Sequence, residues 1–316
     1  MRALIIDIGQ KKDIRDILGQ DILLYQLDWL RAAKITDITV FTDNITKNLQ
    51  YDGIHYYACT EPPKYELLKT VLDDKPFFLL NGPVLTNYSG ETLNKLYNKL
   101  QADVLCLTGG SFYGETFAVE RDGAAALLNV FGSGETVNNI YVINPLLLSF
   151  YFYERFDIQL FLTEMIKHRR RIFCENNTGW IEYVNTYPAY FQATKQLLSS
   201  VPELSGSKIH NSYYGKNCEI DFSVKLLGQQ FFGDDCRIGL NCVLENSIFL
   251  NKIQIADSAR IKNSILQKNV KIGKNCELEN CLIGENCIIE DNIRLPAGII
   301  LAADSVIKTD SGILNV

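Results

Sequence analysis

The stretches "NSIFLNKIQIADSARIK" (residues 246–262), "NSILQKNVKIGKNCELE" (263–279) and "NCLIGENCIIEDNIRLP" (280–296) share one rhythm. Each opens on an asparagine, at Asn246, Asn263 and Asn280, at a spacing of 17 residues. Upstream, "QQFFGDDCRIGLNCVLE" (229–245) keeps the pattern, and a step of 18 residues from Gln229 reaches Asn211. Stacking the segments aligns six apolar columns. Three of them are Tyr214, Phe232, Phe249, Leu266, Ile283; Ile220, Ile238, Ile255, Ile272, Ile289; and Leu226, Leu244, Ile261, Leu278, Leu295. The others are Tyr213, Phe231, Ile248, Ile265, Leu282; Cys218, Cys236, Ile253, Val270, Cys287; and Val224, Cys242, Ala259, Cys276, Ile293. A fixed repeat of this kind predicts a solenoid, whose turns bury their faces only against their neighbours. Within a turn the apolar pairs recur about six residues apart, so three units close a triangular coil.

The chain has nine cysteines, scattered, with no C-x-x-C pair, which argues against a zinc site. Cys218, Cys236, Cys242, Cys276 and Cys287 fall at small inward positions of the coil and read as compact hydrophobes. The start "MRALIIDIGQKK" carries no export signal, so reduced thiols and a cytoplasmic location are expected. No apolar run approaches the ~20 residues that span a bilayer. A net charge of −6 argues against a nucleic-acid partner, which requires a basic surface.

Before about residue 200 the pattern differs. "RALIID", "DITVFTD", "PFFLLN", "ADVLCLTG" and "NIYVINP" read as strands, whereas "ILLYQLDWLRAAK" and "ETLNKLYNKLQ" carry helical spacing. Interleaved strands and helices predict a parallel sheet covered on both faces. The small, polar "SSVPELSGS" (199–207) reads as a linker, giving an α/β domain over 1–200 and a coil over 201–316.

The repeat resembles the hexapeptide family, whose fold is the left-handed parallel β-helix. An α/β domain followed by such a coil resembles the sugar-1-phosphate nucleotidylyltransferases, the NDP-sugar pyrophosphorylases. The likeness is carried by "ILLYQLDWLRAAKITDITVFTDN" (22–44), "DDKPFFLLNGPVLTN" (73–87), "YGETFAVERDG" (113–123), "NNIYVINPLLL" (138–148) and "GWIEYVNTYPAYFQATKQLL" (179–198). It implies a Rossmann-like, GT-A-like nucleotidyltransferase domain and a place in sugar-nucleotide and carbohydrate metabolism. It also implies in-line displacement of pyrophosphate from a nucleoside triphosphate, with a glycine-rich loop around the phosphates and two aspartates on Mg²⁺.

The chain departs from that pattern in four places. After the first strand only Gly9 and Gly19 stand in "IDIGQKKDIRDILGQDILLYQ". The family's metal aspartate corresponds to Pro83, and its second carboxylate to Glu182, with Asn185 in place of a nearby glycine. "YACTEPPKYELLKTVL" lacks the small-residue segment beside the base, and "LNVFGSGE" replaces a Glu-Lys-Pro near the sugar phosphate. The expected protein is therefore non-catalytic, with no cofactor and no resident metal. Vestigial candidates are Glu182, Lys12 and Arg15, and crevice candidates are Gly9, Asn81, Gly82, Gly114 and Asn139.

A rebuilt Mg²⁺ enzyme is the alternative, using Glu182, Lys11 or Lys12, and Asp7 or Asp13. An acyltransferase is the third, with His210 the one histidine near the coil. Branches of the family serve as inactive partners of active pyrophosphorylases or build guanine-nucleotide-exchange complexes in translation initiation. The resemblance thus implies a sugar-phosphate or nucleotide ligand and association with an active homologue. The open ends and flat faces of a coil predict a homo-oligomer, and the tail "LAADSVIKTDSGILNV" (301–316) is expected to cap the last turn.

Overall fold

In a computed structural model of the chain, "RALIID" is strand β1 (Arg2–Asp7), buried on both sides within a nine-stranded sheet. The structure describes residues 1–9, 14, 16–18, 20–43, 52–109, 117–121, 127–129, 135–200, 207–209 and 212–308. The described chain divides into two units, Met1–Thr194 and Lys195–Val316.

In the first unit β1 is followed by a short ladder of β2 (Asp16–Ile17) and β3 (Gln20–Asp21), then helix α1 (Ile22–Ala32). There follow β4 (Asp37–Thr42), β5 (Ile54–Ala58), α2 (Tyr65–Val71), β6 (Phe77–Asn81), β7 (Val84–Thr86) and α3 (Gly90–Leu100). Next come β8 (Val104–Thr108), β9 (Phe117–Arg121), β10 (Leu127–Asn129) and β11 (Glu135–Ile143). The unit closes with α4 (Ile158–Lys167), β12 (Ile172–Asn176) and β13 (Ile181–Tyr183), and α5 (Tyr187–Ser200) runs across the division between the units. Asp21 caps α1 by accepting from the Leu23 N–H at 2.8 Å, and Ser89 caps α3 by accepting from Thr92.

The expectation of a parallel sheet needs correction: the sheet is mixed. β1 pairs in parallel with β4 and β6, β4 with β5, and β8 with β12, but β11 runs antiparallel to β6, β8 and β9. An antiparallel neighbour needs no helical crossover, and a strand buried on both faces is a continuous apolar run in either direction. Sequence pattern therefore shows that β11 exists but not which way it runs. Alternation along β1 and β6 divides their side chains between two cores. Leu4, Ile6, Phe77 and Leu79 join α2 and α4 in one core, while Ala3, Ile5, Phe78 and Leu80 join α1 and α3 in the other.

The second unit is a stack of parallel coils, consistent with a left-handed β-helix. Its strands form three sheets of seven, six and four members. All pair in parallel except Ser207–Ile209, which lies antiparallel to Ser212–Tyr214 at one edge. The repeat is read directly in the register, for example Phe232↔Phe249, Leu266↔Ile283 and Ile255↔Ile272. Each turn changes direction at corners where the backbone enters the left-handed region. These corners fall at Asn217, Asp235, Lys252, Asn269, Asn286 and Asp304; at Asn241, Ser258, Asn275 and Asn292; and at Asn246, Asn263 and Asn280. Asparagine and aspartate tolerate that conformation better than other side chains with a Cβ. They also stack: the Asn269 amide donates to Asn286 Oδ1 at 2.9 Å and the Asn275 amide to Asn292 Oδ1 at 3.0 Å.

Inside, the rings of Phe232 and Phe249 stack at 5.0 Å with 12° between their planes. A hydroxyl ladder lines the third corner, where the Ser247 and Ser264 oxygens accept from the Ser264 and Cys281 N–H groups at 3.1 and 3.0 Å. Cys281 belongs to this ladder, not to the columns read from the sequence. At the start of the tail, Ile300–Leu301 and Val306–Ile307 are strands that pair in parallel with Leu282–Ile283 and Ile288–Ile289 of the preceding turn. Residues 309–316 and most of the linker reading lie outside the described residues.

Two measurements check this account. Phe249→Ala opens a void in the stacked column and is expected to cost about 3–5 kcal/mol in urea unfolding. Asn275→Gly, free of the left-handed penalty, loses under about 1 kcal/mol, whereas Asn275→Val loses about 1–2 kcal/mol. Burial raises the thiols of Cys242, Cys276, Cys281 and Cys287 and pushes Cys236 up to about 12. Native protein at pH 8 is therefore expected to resist alkylation at these five and to label fully in denaturant. Because the folded pKa values lie above those of the unfolded chain, their contribution is intact below the ordinary thiol value and fades as pH rises through 9.

Candidate functional site

The carboxyl ends of parallel strands are where ligands bind in open α/β sheets. Here β1 and β6 end side by side, with Ile6 opposite Asn81 and the Gly82 N–H donating to the Ile6 carbonyl at 2.7 Å. Asp7, fully buried, closes β1 and accepts from the Thr42 hydroxyl at 3.0 Å. The Gly9 N–H donates to Asp43 Oδ2 at 2.7 Å, and among the described residues nothing lies within 4 Å of where a Cβ at Gly9 would stand.

Asn81 and Asn139, picked out separately in the sequence, are brought together. The Asn81 amide donates to Asn139 Oδ1 at 3.2 Å, and the Tyr141 hydroxyl donates to the same oxygen at 3.3 Å. Asn139 has φ +58° at a register shift between Val137 and Tyr141, so a bulge re-aims its side chain. Tyr141 is fully buried, and burial first, then Cys106 and Tyr183, hold its phenol proton well above the ordinary value. It therefore serves as a neutral donor, consistent with the bond it makes.

Gly82 has φ +87°, and the Tyr183 ring lies over it: a Cβ at Gly82 would meet Tyr183 Cε2 at 2.7 Å and Cζ at 2.9 Å. Beneath, Gln26 Nε2 donates to the carbonyls of Gly82 and Val84 at 2.8 and 3.1 Å, fixing the turn from the α1 side. β13 reaches this corner by pairing with β7, Tyr183 opposite Val84 and Glu182 opposite Leu85. The Val184 N–H then donates to the Pro83 carbonyl at 2.7 Å. Successive strand residues point to opposite faces: Tyr183 lies over the Gly82 turn, and Glu182 stands opposite Leu85 in the ladder. Glu182 is buried and has polar partners of its own.

The side chain over Gly82 is that of Tyr183, which the sequence did not single out; a three-residue strand gives no visible alternation, so only the ladder with β7 reveals it. Lys11, Lys12, Asp13, Arg15, Gly114 and His210 lie outside the described residues.

These donors do not suit Mg²⁺, which requires near-octahedral hard oxygens including carboxylates. Pro83 supplies only its carbonyl, and that accepts from Val184. The Gly82 turn faces a tyrosine, and the neighbouring groups are the Asn81 and Asn139 carboxamides and the Asp7 carboxylate, which accepts from Thr42. Among the described residues no group of three or more His, Cys, Asp or Glu side chains converges on a point. What the arrangement brings together is amide and phenol donors and acceptors from Asn81, Asn139 and Tyr141, beside the buried carboxylate of Asp7.

Comparison with known families matches residues 209–313 to a model described as the EIF2B subunit epsilon LbH domain. The match covers the coil and about a third of the chain, and it leaves the crevice-bearing unit unmatched. No curated protein matches the chain. No helix among the described residues is long and apolar enough to cross a membrane.

Gly82→Ala is expected to lose about 1–3 kcal/mol, from positive-φ strain and from the Tyr183 ring. Adding Tyr183→Ala should recover the steric part, giving a double-mutant cycle with measurable coupling. An additive cycle in thermal or urea unfolding would mean the ring does not sit over this glycine.

Proposed function

We propose that this protein is a non-catalytic, nucleotidyltransferase-like subunit that binds a sugar phosphate or nucleotide and acts in regulation or assembly. Support comes chiefly from the corner where β6 ends. Pro83 stands where a metal-binding carboxylate would be needed, and Tyr183 covers the adjoining glycine. Without an anionic pair there, Mg²⁺ has no anchor, and the transferring phosphoryl group loses the cation that offsets its charge.

The Rossmann-like, GT-A-like character of the first unit belongs to this proposal. Strands β1, β4, β5 and β6 support it through their parallel order, with helices on both faces. The carboxamide cluster of Asn81 and Asn139 supports recognition of a hydroxyl-rich moiety. The match to a domain of an EIF2B subunit supports a role within an assembly. In this proposal the protein works in the reducing cytoplasm, self-associates through the coil, and pairs with an active homologue whose state it biases by binding one form better than another.

One observation favours a second reading. Asp7 is a buried carboxylate at the end of β1, beside this corner. A rebuilt Mg²⁺ enzyme would use it with Glu182, and Glu182→Ala would abolish its turnover. For an acyltransferase the coil offers no such support, since no histidine follows His210.

Purified full-length protein is expected to release no pyrophosphate with any pairing of NTP and sugar-1-phosphate, with or without Mg²⁺. Thermal-shift measurements should show a rise with sugar phosphates, nucleotides or nucleotide sugars that is independent of Mg²⁺. Robust turnover sinks the non-catalytic reading, and a flat thermal-shift panel sinks the ligand-binding part.

A further inference from the structure

Of the three faces of the coil, each presents a different outward column. Phe231, Ile248, Ile265 and Leu282 on the first are apolar and buried. On the second, Glu219, Arg237, Gln254, Lys271, Ile288 and Val306 follow no charge order. The third is built from Lys225–Leu227, Val243–Glu245, Arg260–Lys262 and Glu277–Glu279, continued by Arg294 through its bridge to Glu277. Its centre line, Leu244, Ile261 and Leu278, is buried, while Arg260, Lys262, Glu279 and Arg294 are exposed. A concavity of about 570 Å³ runs along it.

Row by row, the charges on this third face read Lys225; Glu245; Arg260 with Lys262; Glu277 with Glu279; Arg294. One positive row is followed by one negative, two positives by two negatives, and the series ends on a positive. Reversing that order about the gap between the third and fourth rows sets every charged row from the second to the fifth opposite its complement. Aligning two copies row for row in the same direction sets every row against its like, and the one-row shift that restores complementarity does not close on a two-fold axis.

We propose that this face is the interface of a homodimer whose two coils run antiparallel. The two-fold axis lies in the interface, along the strand direction, between the rows of Arg260 and Glu277. Arg260 then meets Glu277 of the partner subunit, Lys262 meets Glu279 of the partner subunit, and symmetry repeats both pairs. Glu245 lies level with Arg294 of the partner subunit.

Within one chain Lys262 already pairs with Glu279 at 3.5 Å and Arg294 with Glu277 at 3.1 Å. All four are partly exposed, and such pairs contribute little alone. Dimerisation would join them into a network shielded from solvent, where charge complementarity fixes register and orientation. Five coils at about 4.8 Å each span about 24 Å, a small footprint. Affinity therefore rests on charge and is salt-sensitive. The inference specifies the self-association proposed above and is independent of whether the crevice turns over.

Sedimentation velocity on the full chain tests it, with variants R260E/K262E and E277K/E279K. Wild type is expected as a dimer at about 50 mM salt, with affinity at least tenfold weaker at about 500 mM. Each double variant sets like charges face to face and should be monomeric. Their equimolar mixture should regain a dimer, because both crossed pairings become attractive, and misfolded chains would not do this. A monomeric wild type overturns self-association together with this face. A wild-type dimer with unaffected variants overturns this face alone, and monomeric variants that fail to re-pair overturn the two-fold register.

Discussion

A chain that turns several corners in 17 residues must enter the left-handed backbone region repeatedly, and that requirement governs the second unit. Asparagine recurs at Asn246, Asn263 and Asn280 because the corner φ values of +45°, +46° and +55° are tolerable to a short polar side chain. Once the corners are fixed, the register follows. Each strand falls on the one above, each inward residue lands on its equivalent, and carboxamides stack up the corner as ladders. Small inward positions next to corners admit cysteine, serine or alanine, which accounts for the concentration of thiols without any redox chemistry. Their Sγ–H groups instead reach nearby carbonyls, as Cys236 does to Leu250 at 3.1 Å.

This repetition makes the coil legible in the sequence. Every residue type is sampled several times in one environment, so a column such as Ile238, Ile255, Ile272 and Ile289 reveals itself by agreement. The first unit has no such redundancy. β1, β4, β6, β8 and β11 are legible as apolar runs, and α1 and α3 as amphipathic ones. Helix α4, "IQLFLTEMIK", lies just after an aromatic-rich segment that blurs its period, although the Asp157 cap at its start marks it. The direction of β11 was illegible because burial on both faces erases the alternation that separates sheet types.

At the crevice, strand ends are readable and side-chain aim is not. Asn81 and Gly82 follow from a strand that breaks at a glycine and a proline. That Asn139 meets Asn81 depends on a bulge, which leaves no mark beyond an asparagine suited to positive φ. That Tyr183, rather than Glu182, covers Gly82 depends on the pairing of β13 with β7, a contact across about a hundred residues of chain. Tyr141 keeps its proton and meets the Asn139 amide oxygen as a donor, while Asp7 stands buried at the neighbouring strand end. In the proposed role, hydrogen-bond geometry and shape select the ligand.

The charged face of the coil follows from the same stacking rule that orders its interior. In parallel coils about 4.8 Å apart, like charges in one column repel at every step, so an exposed column must alternate or go neutral. Strict alternation of single charges would match its own reversal in several registers and specify none of them. A doubled row, Arg260 and Lys262 followed by Glu277 and Glu279, breaks that degeneracy, because two positives find two negatives at only one offset. Alternation within the chain stabilises the stack, while the doubling does nothing for the stack that single charges would not do. A feature that the fold does not need, on a face that the fold leaves open, is better explained by what approaches that face than by what lies beneath it.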